Sequence, residues 1–131
     1  MAQLAHGVSP LVYSAEGPDD LAVTGFDAMA QAAGLDREEA ARQIGATLAE
    51  IMRQILDHST VRRVVVAGGD SSGAVASHLG LNALTVASAL APGVPLCKAW
   101  SHDTRRDGLE IALKGGQLGA VSFYGNVRDG C

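Results

Sequence analysis

The sequence predicts an α/β fold, a single domain with a mixed, partly parallel sheet covered by helices. Three observations carry that expectation. A long amphipathic helical pattern runs directly into a β-branched stretch, Arg-Arg-Val-Val-Val-Ala (62–67), which lacks alternation as a strand buried on both faces of a parallel sheet does. A short helical stretch follows, and after it come several strand candidates rather than more helices. The 131 residues suit one domain, 1–131, with a sizeable core.

Taken in order, residues 10–14 (Pro-Leu-Val-Tyr-Ser) read as a short strand entered through proline. Residues 16–20 form a turn with an acidic helix start. Residues 21–34 are alanine-rich but broken at Thr24 and Gly25, which leaves their type open. The clearest element spans 35–58. Asp36 caps it, Glu39 lies three residues on as in a capping box, and Leu35 acts as a staple. Ala41, Ile44, Leu48, Ile51, Met52 and Ile55 recur at helical spacing, so one face is apolar and suited to covering a sheet. Residues 72–79 suit a short helix closed by Gly80. Residues 83–87, 96–100 and 108–113 read as strands, with a turn at 91–95. Residues 114–119 make a second glycine-rich turn, and the polar tail suggests no further element.

With 47% hydrophobic, 18% charged and only 4% aromatic residues, the chain is an ordinary globular one whose core rests on Val, Ile, Leu and Ala. The net charge of −4 and the lack of any basic stripe argue against nucleic acid as a partner. A single nucleotide stays open, because backbone N–H groups hold phosphate without net positive charge. No apolar run approaches the roughly 20 residues of a membrane span, and the first residues do not read as a signal peptide. Cys97 and Cys131 make no disulfide framework, so a reducing cytoplasm is the expected setting.

The sharpest motif is Val-Val-Val-Ala-Gly-Gly-Asp-Ser-Ser-Gly-Ala-Val (64–75). Gly68 and Gly69 remove side chains where a strand ends and let a ligand approach the backbone. Ser71 and Ser72 supply hydroxyls and are good helix caps. The helix that follows turns free N–H groups and its positive dipole end to the same place. Asp70 has the chemistry to orient a water or to hold Mg²⁺ through water. The pattern is neither a P-loop nor the dinucleotide Gly-x-Gly-x-x-Gly. Two readings therefore stand: an anion site, or a plain strand-to-helix turn capped by serine. The second turn (114–119) likewise reads either as a wall against adenine or ribose with Lys114 near a phosphate, or as a simple turn. Asp57-His58-Ser59 and Ser101-His102-Asp103 contain triad residue types, but sequence neighbours do not converge on triad geometry. They read as a helix end and a polar turn. The histidines and cysteines lack metal-ligand spacing. Cys97 reads as a small buried residue, and Trp100 and Tyr13 as packing residues with rings able to flank a base.

Together with Ala-Pro-Gly-Val-Pro-Leu-Cys (91–97) and Leu-Glu-Ile-Ala-Leu-Lys-Gly-Gly-Gln-Leu-Gly (109–119), the 64–75 motif resembles the C-terminal region of the four-carbon acid sugar kinases. Those enzymes phosphorylate tetronate-type acids or their 3-oxo forms with ATP. The resemblance spans nearly the whole chain. It implies that Gly68, Gly69, Asp70 and Ser71, with Ser72 and Gly73, surround ATP phosphates, with Mg²⁺ accompanying them. It also implies that Gly116 and Gly119 contact the nucleotide. The family commonly has threonine where Ser71 stands, and residues 119–125 follow its usual ending only loosely. Such kinases are much longer, and the N-terminal part that binds the sugar acid has no counterpart here. The expectation is a nucleotide-binding domain without useful kinase activity by itself. The alternative is a non-enzymatic module for oligomerisation or protein interaction, which leaves room for a homo-oligomer.

Overall fold

The computed structural model describes residues 2–130. Three short helices, α1 (Ala2–Ala5), α2 (Leu21–Thr24) and α3 (Phe26–Ala32), precede the long α4 (Arg37–Asp57). Then come β1 (Arg63–Ala67), α5 (Gly69–His78), β2 (Leu81–Ala91), β3 (Val94–Ser101), β4 (Glu110–Lys114) and α6 (Phe123–Asp129). The four strands form one sheet in the order β1-β4-β3-β2. β1 and β4 are parallel, and the other two pairings are antiparallel. The mixed, partly parallel α/β architecture is therefore as the sequence predicts.

Helix α4 begins where its cap dictates, with the Asp36 carboxylate accepting from the Glu39 amide at 2.8 Å. Its inner face joins α5 on one side of the sheet. There Ala49 and Leu56 meet Val75 and Leu79 over Val64, Val66, Cys97, Ala99 and Ile111. Helix α6 covers the opposite side, packing Phe123 and Val127 against Val94, Leu96 and Ala112. The result is helix, sheet, helix in three layers. β1 alternates, with Val64 and Val66 buried under α4 and α5 and Val65 half-covered on the α6 side. It is thus less enclosed than the unbroken run of valines suggests.

Several boundaries differ from expectation for physical reasons. Residues 10–14 form no strand, because no neighbour pairs with their backbone; Leu11, Val12 and Tyr13 are exposed. Residues 21–34 resolve into two helices split at Gly25, the first capped by Asp20 through the Ala22 amide at 2.8 Å. Helix α5 starts at Gly69, not Ser72, and its N-cap is Gly68 without a side-chain bond. Neither Ser71 nor Ser72 therefore caps it. β2 runs on to Ala91, leaving Pro92 and Gly93 as a tight turn into β3 with Gly93 at φ +74°. The tail, read as featureless, forms α6 because Phe123 and Val127 cover an otherwise bare apolar sheet face.

The loop between β3 and β4 is latched onto the end of α4. Asp57 accepts from Arg106 and from Arg53 at 2.5 Å, and forms an ion pair with Arg105 at 3.1 Å. The hydrogen bond from Arg106, then the charges of Arg106, Arg105 and Arg53, hold the Asp57 carboxyl below the usual carboxylate range. Asp57-His58-Ser59 is accordingly a helix end, and 101–103 a polar turn closed by Ser101 on the Gly80 carbonyl at 2.9 Å. Cys97 is buried, and burial raises its thiol pKa.

Candidate functional site

Two glycine turns leave the carboxyl ends of neighbouring parallel strands. Ala67 of β1 lies beside Lys114 of β4, and the Gly68 amide donates to the Lys114 carbonyl at 2.9 Å. The crevice beyond the carboxyl ends of parallel strands is where α/β sheets place ligands. Here the register alone brings both turns to it.

Gly68 sits at φ +112°, ψ 132°, a conformation that side-chain-bearing residues avoid. That geometry turns the chain directly from β1 into α5. The first bond of the α5 ladder runs from the Ser72 amide to the Gly68 carbonyl at 2.9 Å. The amides of Gly69, Asp70 and Ser71 precede it and have no acceptor among the described residues, as the first turn of a helix requires. An added Cβ at Gly69, Gly73 or Gly116 would meet nothing within 4 Å, so space is open at all three.

A cleft of about 590 Å³ adjoins these turns, within the size range of small-molecule sites. Ser71 and Gly116 line it from the two turns, Val66 and Ala67 from β1, and Ile51 and Met52 from α4. Tyr13 and Tyr124 also contribute to its wall. Sequence reasoning had not assigned the apolar α4 wall or Tyr124 to a site. The helical apolar stripe was visible, but its excess beyond what the sheet buries was not. Among the described residues, no arginine or lysine lines the cleft, and its one acid is Glu16.

The remaining expected residues fall in different places. Asp70 lines a second, neighbouring cleft beside Phe26, Met29 and Ile44 and is not in the lining of the first. The Ser72 hydroxyl is buried and has no hydrogen-bond partner among the described residues. Gly119, at φ +91°, lies under Phe123, whose ring atoms would be 3.0 Å from an added Cβ. Packing of α6 thus accounts for that glycine. Lys114 is 5% exposed, with its ammonium folded back onto its own turn. Trp100 is half exposed, donates to Thr85 at 2.9 Å, and lies outside the cleft lining. Among the described residues, no group of three His, Cys, Asp or Glu side chains is placed to hold a metal. Nor is any helix long and apolar enough to cross a membrane.

The fold is that of an α/β domain whose parallel strand pair ends in two glycine turns, one of them opening a helix with free amides, a geometry chemically suited to an anion. A family model described as the nucleotide-binding C-terminal domain matches residues 1–124. The chain belongs to this family, the C-terminal region of the four-carbon acid sugar kinases. It is 62% identical over 97% of its length to a 3-oxo-isoapionate kinase of Paraburkholderia graminis, of which it covers 27%. It is 35% identical over 91% of its length to a 3-oxo-tetronate kinase of Cupriavidus necator, of which it covers 25%. The chain therefore spans about a quarter of the length of these relatives. Among solved structures, a Haemophilus influenzae protein matches 82% of the chain and 24% of its own, at 28% identity and TM-score 0.57. A Bordetella bronchiseptica domain, solved with citrate as a domain-swapped dimer, matches 73% and 22% at 29% identity and TM-score 0.57.

Proposed function

We propose that the chain is the ATP-binding domain of a kinase acting on a four-carbon sugar acid of the tetronate or 3-oxo-tetronate class. The observation that carries this reading is the α5 start, where the amides of residues 69–71 are free and Ser71 lines the same cleft as the open backbone of Gly116. Amides that point outward from a helix start suit a phosphate chain, and an open backbone lets phosphate come close. Gly68, Gly69, Ser71 and Gly73 shape the phosphate side, and Ser72 lends a buried hydroxyl with unused hydrogen-bonding capacity. Gly116 faces the nucleotide, and Gly119 shapes the same turn. The apolar α4 wall and the tyrosines suit the base and ribose.

The donor set fits ATP but supplies no cation to the phosphates. Mg²⁺ would supply that charge, binding through phosphate oxygens and water as it commonly does. Asp70 lines the neighbouring cleft rather than this one, so it is not assigned to the ion. The sugar acid would be bound by the part of the relatives' length that lies outside these 131 residues. Phosphoryl transfer depends on bringing both substrates together. The chain by itself is therefore expected to bind nucleotide without turning over a sugar acid.

A thermal-shift comparison tests the assignment. Millimolar Mg·ATP should raise the melting temperature of the wild-type chain. It should raise that of Gly69→Val and Ser71→Val much less, although Gly69→Val has open space for its Cβ. Equal shifts in all three would remove residues 69–71 from the site.

One observation favours a second reading, an interaction module. β2 is an eleven-residue edge strand without a charged side chain, exposed over most of its length. Such an edge is a template for pairing with a second copy. A sedimentation profile that stays monomeric at high concentration would dismiss it.

A further inference from the structure

We infer that Lys114 is a positioning residue whose buried ammonium turns the N–H groups of Gly116 and Gln117 outward as donors to the nucleotide phosphates. The inference rests on the nucleotide reading above and adds to it a device that organises the second turn.

Lys114 has no carboxylate partner among the described residues. Its Nζ donates to the carbonyls of Gly115 and Gly116 at 3.0 and 2.9 Å. It lies 5.8 Å from the ring centroids of both Phe123 and Tyr124. A buried ammonium without an anion is costly. Two carbonyl dipoles and two aromatic faces offset that cost and fix the charge where it is.

The consequence for the turn follows from covalent geometry. In a trans peptide the C=O of one residue and the N–H of the next point in opposite directions, and the described chain has no cis bond. Drawing the carbonyls of Gly115 and Gly116 to one ammonium therefore turns the N–H groups of Gly116 and Gln117 away from it. Neither amide has an acceptor among the described residues, whereas the Leu118 amide closes the turn on the Gly115 carbonyl at 3.1 Å. Successive outward amides form a concavity for an anion. Gly116 stands on the cleft wall with Ser71, so this pair of donors would face the helix-start amides across the site. Direct contact between Lys114 and phosphate is disfavoured, since the side chain has almost no surface to offer.

The test is NMR on the isotopically labelled 131-residue chain with Lys114→Met and Lys114→Arg. In the nucleotide-free wild type, the Lys114 ammonium signal should be protected from exchange. The carbonyl carbons of Gly115 and Gly116 should shift upfield in Lys114→Met and return toward wild type in Lys114→Arg. With saturating Mg·ATP, amides 69–71 should move in all three proteins. Those of Gly116 and Gln117 should move in wild type and Lys114→Arg only, and Lys114→Met should bind about tenfold more weakly, or about 1.4 kcal/mol. Unchanged carbonyl shifts in Lys114→Met, an unprotected ammonium, or a wild-type response of Gly116 and Gln117 in that variant would overturn the inference. If amides 69–71 of the wild type ignore Mg·ATP, the nucleotide reading itself falls, while the nucleotide-free carbonyl shifts still judge the action of Lys114.

Discussion

The Gly68 amide donates to the Lys114 carbonyl at 2.9 Å, joining the roots of the two glycine turns across the parallel β1–β4 pair. This bond makes the turns one unit. A change in the backbone at Gly68 should therefore be felt at both. Gly68→Ala forces a side chain into φ +112°, with its Cβ 3.4 Å from the Ser71 hydroxyl. It should lower stability by about 1–3 kcal/mol, the usual cost of such a backbone state. It should also weaken nucleotide binding, read by denaturant melts and titration on the same sample.

Gly116 and Gly119 belong to one turn but should behave differently. Gly119→Ala would push a Cβ to 3.0 Å from the Phe123 ring at φ +91°. It should destabilise the chain by about 1–3 kcal/mol and loosen α6. Gly116→Val meets open space and should change stability by less than about 0.5 kcal/mol while reducing nucleotide affinity several-fold. Melting curves and titrations of the pair separate packing from recognition.

The latch at Asp57 should give the stability a dependence on acid pH. Arg106, Arg105 and Arg53 hold the Asp57 carboxyl below 3.8 in the folded chain, and Arg105 holds Asp103 at about 2. The unfolded chain thus takes up these protons first, so their stabilisation is complete above the ordinary carboxylate range. It is lost as pH falls toward 2. Asp57→Asn should flatten that acid limb. At neutral pH it should lower the melting temperature by several degrees, because Arg106, 3% exposed, loses its partner. Melting temperatures measured across the acid range for both proteins check this.

Much of this arrangement is legible in the sequence where local chemistry and tertiary packing agree. Asp36 and Glu39 mark the start of α4, the valines mark β1, and the glycines mark both turns. The rest depends on partners far along the chain. Residues 10–14 carry strand-like residues, yet a strand needs a neighbour's backbone, and none pairs with them. Helix α6 has no side-chain cap at Ser122 and a glycine within it, so apart from its C-cap at Gly130 it is specified by the burial of Phe123 and Val127. At the site, Gly68 and Ser71 could be read from the strand-to-helix turn. The inward fold of the Lys114 ammonium could not, because it depends on rings at 123 and 124.

Titration calorimetry of Mg·ATP into the 131-residue chain tests the central claim most directly. The account predicts saturable binding of one nucleotide per chain, weakened strongly when Mg²⁺ is withheld, since no basic side chain lines the cleft. The absence of any heat with millimolar Mg·ATP or Mg·ADP, together with an unchanged melting temperature, would contradict it.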